Sequence, residues 1–125
     1  MIGTALGIVA IELQNIDVPY EFMRWTSAVE DRYWVGEFTE TTTATEDGYE
    51  ESTLLLTGTT RDSWASLMQD RDKIKDHFPN IGARFSTENG AVVIFYENAF
   101  PVPTGEADLK RIQINLRIKT WKGID

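Results

Sequence analysis

The sequence predicts a small α+β domain: a largely antiparallel or mixed sheet, a projecting β-hairpin and two flanking helices. Three observations predict it. Asp47-Gly48 and Asn89-Gly90 each lie between stretches of high β propensity, and a two-residue hairpin turn needs the positive φ that Gly supplies. From Leu109 to Trp121 the chain alternates strictly: Ile112, Ile114, Leu116 and Ile118 fall on one side, Arg111, Gln113, Asn115, Arg117 and Lys119 on the other. Period two marks a strand with one buried face. Two other segments repeat apolar residues at helical spacing. Helix, hairpin, helix, hairpin in that order gives an α+β chain, one domain over residues 1–125.

The elements follow in order. Ile2, Leu6, Val9 and Leu13 share a helical stripe that ends near Asn15 to Asp17, ahead of Pro19. Gly3 and Gly7 weaken that helix, each by up to about 1 kcal/mol against Ala, and Ile8, Val9 and Ile11 would also suit a strand. Pro19 to Trp25 reads as extended. A strand from Arg32 to Thr45 turns at Asp47-Gly48 and returns from Tyr49 to Thr57. Its root is apolar and its tip acidic and Thr-rich, so the tip projects. Thr59, with Asp62 three residues on, reads as a capping box. The helix it opens carries Trp64, Leu67, Met68, Ile74 and Phe78 on one stripe, with Asp70, Asp72, Lys73, Lys75 and Asp76 facing solvent, and stops at Pro79. His77 falls at its end, as a surface or capping residue. Strands Ala83–Thr87 and Ala91–Tyr96 come next, then a stiff loop from Asn98 to Gly105 holding Pro101 and Pro103, and finally the alternating strand.

Composition narrows function. The chain has 125 residues, no Cys, one His and four Trp. Disulfides, thiolate metal sites and Cys nucleophiles are excluded, as is a multi-histidine metal site. Twenty acids against twelve bases give a net charge of −8, which disfavours ordinary nucleic-acid and anionic-membrane binding. The longest apolar run, Ala5 to Ile11, is far short of a bilayer span, and no Lys or Arg precedes it. We read no export signal and no anchor, and expect an intracellular protein.

No catalytic, cofactor or metal site is expected. There is no Gly-x-Ser-x-Gly elbow and no phosphate loop. Asp70, Asp72 and Asp76 lack the Gly and bidentate Glu of a calcium loop and read as a solvated helix surface. Glu37 with Glu50 or Glu51 would make a carboxylate pair only in a walled cleft, which a hairpin arm does not offer. Charge is nevertheless uneven. Between Glu30 and Glu51 lie eight acids and one base; between Leu109 and Lys122 lie five bases and no acid. Two solvated faces of a monomer would account for this, and so would self-association in which one edge of a subunit meets the oppositely charged edge of the next. On the second reading the interface candidates are Glu37, Glu40, Glu46, Asp47 and Glu50 against Arg111, Arg117 and Lys119.

The stretches YWVGEFTE, EDGYEESTLLLTGTTRDSW, KIKDHFP and AFPVPTGEADLKRIQINLRIKTWKG resemble the tail-terminator or tail-completion proteins of long-tailed bacteriophages. The likeness spans most of Tyr33 to Gly123 and rests on a pattern of strands and turns, not a catalytic signature. It implies a non-enzymatic virion protein of the tail or neck, assembled in host cytoplasm as a hexameric ring. Such a ring ends tail-tube polymerisation and docks on the head connector, and DNA passes through its channel. Its partners would be further copies of itself, the tube protein and the connector, with no sequence-specific nucleic acid, no membrane and no cofactor. The alternatives are another virion part (a head-completion adaptor or tube-like subunit) and an unrelated small-molecule-binding domain.

Overall fold

The computed structural model describes residues 2–28, 31–42, 48–88 and 90–122. Helix α1 spans Ile2–Asn15. Its buried stripe is Ala5, Val9 and Leu13, fully enclosed, with Leu6 partly buried beside them. Asp17 takes φ 60 and Val18 N–H returns to the Leu13 carbonyl at 3.0 Å, which closes the helix before Pro19. The extended stretch that follows holds only a three-residue strand, β1 (Tyr20–Phe22). Strand β2 is Arg32–Thr42 and β3 is Tyr49–Thr60, the second running three residues beyond the sequence expectation. The turn between them, with Glu46 and Asp47, lies outside the described residues. Helix α2 spans Trp64–His77. Strands β4 (Ala83–Thr87), β5 (Gly90–Pro101) and β6 (Lys110–Lys122) complete the chain.

The six strands form one sheet in the order β1-β2-β3-β6-β5-β4. Among the described residues only β1 and β2 pair in parallel and the other pairs are antiparallel, so the sheet is mixed. Both helices pack on one face. Val9 and Leu13 of α1 and Leu67 and Ile74 of α2 join Trp34, Leu54, Leu56, Ile114, Leu116 and Ile118 in one core, all at 0% exposure. The strict alternation of β6 is what puts its four apolar residues there; burying each such side chain contributes about 1.5–3 kcal/mol. The ring of Trp34 lies across Gly58, where an added Cβ would come within 2.6 Å of the indole. Glycine is what lets the largest core side chain lie flat on its neighbouring strand.

Three expectations are corrected. The segment after Tyr96 is not a loop from Asn98: β5 continues along β6 to Pro101, with an irregularity between Tyr96 and Asn98. β4 pairs only with Gly90–Ile94, so beyond Ile94 this strand has one neighbour, and a Pro there forfeits no ladder bond. The capping box is also absent. Thr59 and Thr60 finish β3, the N-cap is Ser63 with no side-chain cap bond, and Thr60 Oγ1 instead accepts from the Asp62 N–H at 3.0 Å and donates to the Asp31 carbonyl at 2.6 Å. The helix is turned relative to the expected stripe. Leu67, Asp70 and Ile74 face the sheet, while Trp64 and Met68 remain 40% and 39% exposed.

Candidate functional surface

Among the described residues no helix packs on the second face of the sheet. Side chains there alternate with the core residues along each strand, and most are half-buried or exposed, Thr59 and Ala91 being enclosed. Residues that share a level on this face include Thr53, Arg117 and Phe95, and likewise Glu51, Lys119 and Val93. The Arg117 guanidinium lies 4.6 Å from the centre of the Phe95 ring and stands 3.5 Å from both Glu51 and Glu97. Lys119 Nζ sits 4.6 Å over Tyr49 and 5.6 Å from Phe95, and Tyr49 packs at 5.3 Å on Trp121. Arg111 Nε donates to Thr59 Oγ1 at 3.3 Å. Further along, Asn115 donates to Asn98 at 2.9 Å. The result is a wall of aromatic and polar groups bound mostly to one another.

The structure thus gathers part of the candidate set. Arg111, Arg117, Lys119 and Glu37 share the open face, and Glu37 and Arg111 line one shallow groove with Tyr33 and Gln113. Glu40 and Glu50, paired with Ser52 and Thr120, have the alternation of the helix-bearing face and are exposed near the end of the hairpin. Because β6 lies between β3 and β5, its bases present a face of the molecule rather than an edge. Some of their charge is met at home, by Glu51 and Glu97. Glu37 lies opposite Leu55 and Glu51 opposite Thr42, so these carboxylates do not form a pair across the hairpin.

One residue expected in solvent is enclosed. Asp70 is 1% exposed and accepts from Trp34 Nε1 at 2.8 Å and Arg32 Nε at 2.5 Å. That bond and the carboxylate's charge raise the Arg32 pKa above its ordinary value, against the opposing effect of partial burial. Arg32 also donates to the Asp17 carbonyl at 3.2 Å, so one guanidinium ties α2, β2 and the end of α1 together. The sequence holds a signal for this: Arg32 and Trp34 are i, i+2 on one face of a strand, and two inward donors require an acceptor. Asp72 and Asp76 are exposed as expected. His77 is a link rather than a cap, with Nε2 at 2.8 Å from Glu12 of α1.

A hollow of about 600 Å³ opens between the end of α1, β1 and the segment after it, lined by Gln14, Tyr20, Trp25 and Arg32 among others. Tyr20 Oη and Trp25 Nε1 are buried without hydrogen-bond partners, and burial pushes the Tyr20 phenol up to about 12. Across the hollow's rim, Glu21 accepts from the backbone of Thr26 and Ser27 at 3.2 and 3.1 Å and from the Thr26 hydroxyl, bonds that lower its carboxyl pKa. Among the described residues no three His, Asp or Glu side chains are grouped to hold a metal ion, and no helix is long and apolar enough to cross a membrane.

A two-layer α+β domain with one face of its mixed sheet uncovered is the class this geometry defines. The fold has solved counterparts. One chain of the virion of a native gene transfer agent particle superposes with a TM-score of 0.67 over 86% of this chain and 83% of that one, at 13% sequence identity. At that identity the likeness is one of fold. No family model and no curated protein matches the chain.

Proposed function

We propose that the chain is a structural subunit of a phage-type virion, and more specifically a ring-forming protein of the head–tail joint that ends tail-tube polymerisation and docks on the head connector. The observation that carries this reading is the shared fold with a chain of a phage-like virion particle. The remaining observations agree with it. Complementary charge on different parts of one subunit suits head-to-tail contacts, and heterologous contacts that close make rings. Glu37, Glu40 and Glu50, with Glu46 and Asp47 of the same hairpin, supply the acidic side of such contacts, while Arg111, Arg117 and Lys119, at the centre of the sheet, act on them through their field rather than by direct pairing across subunits.

A net charge of −8 also suits a channel through which DNA slides without sticking. The bases of β6 do not spoil that, because Arg117 is held by Glu51, Glu97 and Phe95 and Lys119 lies on two rings. A nonsense mutation in the gene of a particle-producing strain tests the reading by electron microscopy. Unjoined heads and tails, with tubes of uncontrolled length, are expected. Intact joined particles would overturn it.

A further inference from the structure

The two edges of the sheet are stepped, and the steps are complementary. On one edge, β1 covers only Trp34–Gly36 of β2, which leaves Glu37–Thr42 without an outer neighbour. Trp34 N–H donates to the Pro19 carbonyl and the Gly36 carbonyl accepts from Met23 N–H, so even-numbered residues of β2 aim their backbone groups at this edge. The next two are Phe38 and Glu40, which meet no strand there. On the opposite edge, β4 covers Gly90–Ile94 of β5 and leaves Phe95–Pro101 open.

The register across the sheet sets these steps at matching levels. Ala83 pairs with Ile94, Ile94 with Ile118, Ile118 with Ser52 and Ser52 with Glu40. The strand that protrudes on one edge, β4, therefore begins at the level where the other edge is vacant. By the same pairing the open part of β5 lies level with Trp34–Thr39, where β1 protrudes.

Side chains on the two edges match as well. Phe22 and Phe38 stack at 6.3 Å and stay 41% and 39% exposed beside Met23 at 56%. Two residues before Ala83, in the turn that leads into β4, Ile81 is 85% exposed. The free stretch of β2 bears two acids and no base, and β4 bears Arg84 and no acid. Unpaired strand edges with apolar neighbours invite pairing with another chain.

We propose that successive copies of this chain join through these stepped edges, β4 of one copy seating parallel to the free end of β2 of the next, with Ala83 and Arg84 beside Glu40 and Thr42 and with Ile81, just before β4, against the Phe22–Phe38 stack. This rests on the ring reading and says which surface closes the ring: the sheet runs from subunit to subunit, and its uncovered face becomes a continuous wall. A rotation about one axis keeps strand directions, and β2 already pairs in parallel with β1, so the added strand repeats an arrangement this edge supports.

The test uses the absence of native cysteine. A Phe38→Cys, Ile81→Cys double variant, oxidised at concentrations where light scattering shows assembly, is expected to give a ladder of covalent multimers. A mixture of the two single variants is expected to stop at dimers. Glu40→Cys with Ala83→Cys probes the same seam without touching the Phe22–Phe38 stack. Ile81→Asp, at a side chain that contacts almost nothing in the monomer, is expected to weaken association at least tenfold with Tm unchanged. Assembly without a ladder from either pair, or with Ile81→Asp associating like wild type, would overturn the seam and leave the ring. A protein that stays monomeric at every concentration would overturn both.

Discussion

The two faces of this sheet are made from the same strands, one residue out of step, and they obey different rules. On the helix-bearing face Trp34, Leu54, Leu116 and Ile118 are sealed, and each is constrained by volume. On the other face Arg117, Lys119, Tyr49 and Phe95 are half-buried and hold one another by ring and charge contacts. The first face accounts for folding. The second has little to do with whether the chain folds, so its composition reports what the surface is for.

Substitutions sharpen that contrast, and the largest effect belongs to the helix-bearing face. Asp70→Ala leaves Arg32 and the Trp34 indole facing a void, and breaking a buried charged pair costs about 3–5 kcal/mol; urea denaturation is expected to show a loss of that size. Gly58→Ala forces a methyl into the Trp34 ring, and overpacking of this kind costs about 1–3 kcal/mol, read as a lower Tm with reduced near-ultraviolet circular dichroism. Arg117→Ala and Lys119→Ala on the open face are expected to cost no more than about 1 kcal/mol each, while changing the salt dependence of association. A stability loss as large as that of Asp70→Ala would erase the distinction between the faces.

The smallest stability effect is expected at Tyr20. Its hydroxyl is buried without a partner, so Tyr20→Phe is expected to leave stability unchanged or raise it by up to about 1 kcal/mol. Burial lifts the phenol from 10.0 to about 12, so the folded state favours its neutral form. That contribution is intact below pH 10 and lost as pH rises through 12. Absorbance titration of the phenolates is expected to show a late-ionising tyrosine that Tyr20→Phe removes.

Local pattern was legible and non-local arrangement was not. The alternation of β6, the antiparallel pairing of β2 with β3 and the stop at Pro79 are properties of short windows, and the structure repeats them. The rotation of α2 escaped, because Trp64 and Met68 extend the apolar stripe as convincingly as Leu67 does. Only the Arg32–Trp34 pair on another strand explains why Asp70 faces inward. β5 was cut short at Tyr96 because a Pro argues against a strand until one knows that β4 has already ended. Strand order depends on long-range pairing, so the bases of β6 suggested an edge where the sheet puts them at its centre. The acids Glu46 and Asp47 lie outside the described residues, and their place in any contact stays with the proposal.

Association of this domain with copies of itself is the proposal on which the ring and its seam both depend. Its most direct test is mass by light scattering across a concentration series at low and high salt. A rise toward a closed species near six times the 14.2 kDa subunit, weakened as salt screens the charged contacts, is the predicted result. A mass fixed at one subunit throughout would contradict it.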